Sequence, residues 1–178
     1  MSQPNLKTLH DAYYQSREES GRLEEMEASA HRILEEVAKK GNWDSPAAQS
    51  KVADARTRLQ LASARAKVLD AEERARENAL KEAFDYQVEI WNEKVSAAFR
   101  EKTEACIAAN LSFWPGDAEG CRERFARENF WPPILHQIRY AHYQPLPPVT
   151  PRYDLCREVR NFISHVIRES KKLGWSTE

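Results

Sequence analysis

Between Leu6 and Val37, positions recur at alternating steps of three and four residues: Leu6, Leu9, Tyr13, Ser16, Ser20, Leu23, Glu27, Ala30, Leu34 and Val37. Most are apolar, while Lys7, Gln15, Arg17, Glu18, Glu24 and Glu25 fall outside the series. A seven-residue repeat of this kind is the seam of a helix that lies along another helix. Ser16, Ser20 and Glu27 weaken it locally, and Met26 and Ile33 widen the stripe around Glu27. Gly21 costs about 1 kcal/mol relative to Ala inside a helix. The pattern predicts a helix over about residues 5–40, with Lys39 and Lys40 suiting the dipole of its last turn and Gly41 as its left-handed terminator. A turn over 41–45 follows, and Asp44 or Ser45 caps a second helix that starts at Pro46. So short a connection makes the two helices antiparallel neighbours. Trp43 is expected to cover the hairpin tip; left in water it would instead be a contact residue for a partner.

The rhythm returns at Ala48, Val52, Ala55, Leu59, Ala62, Ala66 and Leu69. A seam this rich in alanine lets the partner helix approach closely. Glu73 and Arg76 then fall on seam positions, where their stems can cover Tyr13 while their charges stay wet. From Leu80 the apolar series becomes Phe84, Val88, Trp91, Val95 and Ala98 or Phe99. Two successive steps of four form a stutter, which breaks the heptad register. A first helix of about 34 residues is about 50 Å long, so pairing back from the turn brings its start opposite residue 80 or so. Residues 1–80 are therefore read as the hairpin domain. The second helix is expected to continue alone to about residue 110, as the spine of a second domain over 81–178.

That second domain is expected to hold short helices over about 117–129 and 134–143 and a last helix over about 151–173. Thr150 would cap the last helix, Pro151 would open it and Gly174 would end it. Phe113, Trp114, Phe125, Phe130, Trp131, Tyr140 and Tyr143 supply a small aromatic core. The segment Gln144–Val149 reads as extended. Pro145, Pro147 and Pro148 have no N–H to donate, so this strip must lie on a surface, as a linker pinned across the helices or as a ligand for another protein's aromatic groove. On the last helix Leu155, Val159, Phe162, Val166 and Leu173 share one arc. Arg157, Arg160, Arg168 and Lys171 share the opposite one, with Glu158 and Glu169 on a flank. The fold class is all-α: a long antiparallel, coiled-coil-like helical hairpin whose second helix extends into a small C-terminal helical domain with an extended proline-rich segment.

Composition narrows the function classes. The chain has 178 residues, 31% of them charged, which suits helices bathed in solvent more than a compact globule. A formal net charge of -1 gives no global pull toward nucleic acid or an anionic membrane. No apolar run approaches the length of a membrane span, and the N-terminal residues have neither the apolar core of a secretory signal nor the acid-poor composition of a transit peptide. Cys106, Cys121 and Cys156 form no CxxC pair, so three reduced thiols in a cytoplasmic compartment are expected. In that compartment the Asn110-Leu111-Ser112 sequon is a coincidence.

The search for chemistry finds no phosphate-binding loop, dinucleotide fingerprint, nucleophile elbow or HExxH. His136 and His142, six apart, point to different sides of a helix, and Glu27 with His31 makes half a metal site at most. Cys121 precedes Arg122 and Arg124, but no base accompanies it. No cofactor, metal or catalytic residue is assigned. The expected function is a non-enzymatic scaffold or adaptor that acts through protein–protein contact or self-association. Arg157, Arg160, Arg168, Lys171, Trp43, Pro145, Pro147 and Pro148 are its candidate partner-binding residues. Two alternatives stand beside it. One is a nucleic-acid- or anion-associated protein using the basic face of the last helix. The other is a helical enzyme with a dispersed site around Tyr140, His142 and His165.

Overall fold

The computed structural model describes residues 5–41, 43–111, 118–127, 131–147 and 154–176. Of these, 87% are helical and none forms a strand, so the chain is all-α as its patterning requires. Five helices follow in order: α1 (Leu6–Lys40), α2 (Pro46–Leu111), α3 (Ala118–Ala126), α4 (Pro133–Tyr140) and α5 (Leu155–Leu173). The chain forms two compact units, Met1–Ala83 and Phe84–Glu178.

In the first unit α1 and the early part of α2 form the antiparallel hairpin. Asn5 caps α1 by accepting from the Lys7 amide at 2.9 Å. Gly41 ends the helix at φ 64°, a left-handed conformation that a side chain would strain. Ser45 opens α2, its Oγ accepting from the Ala48 N–H at 3.1 Å, and Pro46 sits where no amide proton is needed. Every seam position of α1 is buried or half-buried, while Lys7, Gln15, Arg17, Glu18, Glu24 and Glu25 are exposed. Ala30, Ala55, Ala62 and Leu80 are fully enclosed. The polar interruption at Ser16 is satisfied within α1, its hydroxyl donating to the Tyr13 carbonyl at 2.7 Å. Trp43 does not cover the tip: it is 49% exposed. A groove of about 490 Å³ lies at that end instead, lined by Ile33, Val37 and Ala48 among others.

In the second unit the latter part of α2 presents Phe84, Val88, Trp91 and Val95 to the core. Phe84 meets Tyr143 and Phe162 edge-on, with centroids 6.4 and 5.7 Å away, and Trp91 meets Trp175 at 5.6 Å. Trp131 packs on Phe99 at 5.0 Å and lies under the Arg139 guanidinium.

Several boundaries differ from the patterning. The short helix expected over 117–129 is α3, Ala118–Ala126. The one expected over 134–143 is α4, which stops at Tyr140. The amides of Ala141 and His142 close tight i→i−3 bonds, and the Ala141 carbonyl is taken by other helices' side chains, so the backbone groups of a further turn are already committed. Tyr140, assigned to the core, is 77% exposed as a result. The helix expected from 151 begins at Leu155, because Asp154 caps it through the Arg157 amide. Thr150 and Pro151, along with Pro148, Phe113, Trp114 and Phe130, lie outside the described residues, as does the side chain of Phe125. Gly174 ends α5 at φ 69°.

Candidate functional site

The residues after α4 are held by an interlocked set of polar contacts. Trp91 Nε1 donates to the Ala141 carbonyl at 2.7 Å, and His165 Nε2 reaches the same oxygen at 2.8 Å. Asn92 brackets Tyr143, its amide donating to the Tyr143 carbonyl at 3.0 Å and its oxygen accepting the Tyr143 N–H at 2.9 Å. Ser96 Oγ contacts His142 Nε2 at 3.1 Å. With Nε2 bonded to a carbonyl, His165 presents Nδ1 as an acceptor to Arg168 at 3.3 Å. His142 and His165 therefore face different partners while Tyr140 stands in water, and the structure does not bring the three into one catalytic arrangement. A cleft of about 210 Å³ does lie among α2, α4 and the end of α5, but its lining carries one carboxylate, Glu101, and no histidine, cysteine or tyrosine.

The described part of the proline-rich strip, residues 144–147, is pinned to α5. The Leu146 N–H donates to Glu158 Oε2 at 3.4 Å, and the Tyr143 hydroxyl donates to the same oxygen at 3.1 Å. Pro145 and Pro147 are exposed on either side of Leu146. Glu158, placed on a flank by the helix pattern, is only 3% exposed. The helix wheel sets its direction but not the chain segment that comes to lie over it.

The basic ridge of α5 is thinner than its residue types suggest. Arg157, Arg160 and Lys171 are exposed. Arg168 is committed: its Nε donates to Glu169 Oε1 at 2.7 Å, and Lys172 donates to the same oxygen at 3.0 Å. Glu169 is 5% exposed. Burial pushes its carboxyl up, but the bonds and charges of Arg168 and Lys172 outweigh that and hold it below its ordinary value. The ridge thus keeps Arg157, Arg160 and Lys171 in water, with Arg168 tied into an ion pair.

A second surface, outside the buried seam, lies on α2. Leu61, Ala64, Val68, Ala71 and Ala75 repeat at steps of three, four, three and four, and all are exposed. Leu61 is 62% and Val68 52% exposed. At 100° per residue this stripe lies about opposite the seam of Ala55, Ala62 and Leu69. Testing the sequence for a second heptad series, offset from the first, would have found it.

Among the described residues no group of three or more His, Cys, Asp or Glu is placed to hold a metal ion, and no helix is long and apolar enough to cross a membrane. No disulfide joins the cysteines, and Cys121 and Cys156 are buried. Comparison with protein-family models, with curated proteins and with solved structures gives no match to this chain.

Proposed function

We propose that this protein is a non-enzymatic assembly protein whose hairpin self-associates through the outer stripe of α2. One observation carries the reading: Leu61, Ala64, Val68, Ala71 and Ala75 keep heptad spacing on the exposed face of a helix whose opposite face is already buried against α1. A single-sided amphipathic helix needs no such second series. The stripe is also close to symmetric about Val68, with Leu61 and Ala75 each seven residues away. A two-fold antiparallel contact would set the bulk of Leu61 against the small Ala75 of the other copy, as an isologous interface requires.

Sedimentation equilibrium tests it. The wild-type chain is expected to form dimers or higher species in a concentration-dependent way, and Leu61→Glu with Val68→Glu is expected to leave helicity intact and yield monomers. A wild-type monomer at every concentration sinks the reading.

A further inference from the structure

A groove of about 350 Å³ runs beside α5, with Glu158, Asn161, Ser164 and Arg168 on the helix and Tyr143 and Leu146 on the facing segment. Glu158 is 97% buried, and both hydrogen bonds to its carboxylate end on one oxygen, Oε2. Oε1 has no partner among the described residues and is not sealed away, since the one sealed and unpartnered side-chain atom there is His10 Nε2. The groove's own cation is spent elsewhere. Arg168 bonds Glu169 and His165, and Arg160 turns its Nε to the Cys156 carbonyl. A carboxylate this deeply buried, with no cation bonded to it among the described residues, is a costly arrangement, and its open oxygen points to what completes it.

We infer that this groove binds an extended peptide segment bearing a basic side chain, whose guanidinium or ammonium group donates to Glu158 Oε1. From Glu158 to Arg168 the α5 wall is about 15 Å long, which matches about four or five extended residues. The exposed Asn161 and Ser164 offer polar groups along that length, and the exposed Leu146 side chain offers an apolar contact on the facing wall. This makes the site cation-seeking, opposite in sign to the outward ridge of Arg157 and Lys171. It is independent of the α2 stripe.

The test uses the full chain, labelled with nitrogen-15 and titrated with acetyl-Ala-Arg-Ala-Ala-amide and with the same peptide carrying uncharged citrulline. Saturable shifts of the Leu146 and Ser164 amides are expected with the arginine peptide, with binding at least about tenfold weaker for citrulline and for Glu158→Gln, the scale of one charge-assisted hydrogen bond. Equal binding of the two peptides, or no saturable shift with either, overturns the inference. So does ethylammonium binding as tightly as the peptide, which would reduce the site to a simple cation hole. Because Glu158→Gln could also disturb the fold, Asn161→Lys supplies a second reading. It places a cation one turn along from Glu158 at an exposed position. It is expected to block the peptide and raise the unfolding midpoint, and a variant that binds as well as wild type overturns the proposal.

Discussion

Glu19 of α1 and Arg65 of α2 form a two-point ion pair, with Nε and Nη2 2.7 and 3.1 Å from the two carboxylate oxygens. The pair sets the hairpin register. Thirteen residues before Glu19 is Leu6 and thirteen after Arg65 is Asn78, so the start of α1 lies near Asn78. The bond from Arg65 holds the Glu19 carboxyl below its ordinary value against the opposing effect of burial, and Arg65 is raised in turn. Both side chains are 40% exposed, so the pair specifies alignment more than it adds stability. Glu19→Arg is expected to lower the thermal midpoint slightly, and Glu19→Arg with Arg65→Glu to recover it. Because the folded carboxyl is lowered, its contribution is present above the ordinary carboxylate range and fades as pH falls through the lowered value. The gap between Glu19→Gln and wild type should therefore close in melts run toward pH 3.

Gly21 sits mid-helix in α1, exposed, with nothing within 4 Å of where a Cβ would stand. Gly21→Ala is expected to raise stability by about 1 kcal/mol, as measured by urea unfolding, because it removes backbone entropy from the unfolded chain at no steric cost.

Phe84 is 1% exposed and meets two aromatic rings. Phe84→Ala is expected to cost about 3–5 kcal/mol. Near-ultraviolet circular dichroism should register the loss of packing around Tyr143 and Phe162. Tyr86, two residues on and 43% exposed, serves as the control: Tyr86→Ala is expected to change stability by less than about 0.5 kcal/mol.

Glu169 is the acid-sensitive group of α5. Its folded carboxyl is lowered, so the stability it contributes is present above the ordinary carboxylate value and is lost as pH falls through the lowered one. Glu169→Gln is expected to cost about 1–2 kcal/mol at neutral pH and to flatten the acid limb of a stability-against-pH curve. Arg168→Glu is expected to destabilise for the same reason, whereas Arg157→Glu, on an exposed side chain, is expected to be near neutral in the same denaturation series.

The hairpin could be read from the sequence because its determinants are local. Seam residues repeat at helical spacing, Gly41 and Ser45 terminate and cap within a few residues, and a short turn permits one pairing direction. Gly174 was legible for the same reason. In the second unit the helices were legible but their contacts were not, because those depend on segments far apart in the chain. Trp91 and His165 converge on the Ala141 carbonyl from α2 and α5, which ends α4 early and turns Tyr140 outward. Helical periodicity placed Glu158 and Glu169 on a flank, but a wheel cannot show which flank another segment will cover. Tyr143 and Leu146 reach Glu158 from twelve to fifteen residues away, and Arg168 and Lys172 converge on Glu169. Sequence by itself determined the helices, the turn and the seam, since those follow from backbone propensity and one-dimensional spacing. Tertiary structure alone decided which polar groups are buried, which cations are already paired and which carboxylate oxygen is left open, since each depends on the partners that packing brings within hydrogen-bonding reach.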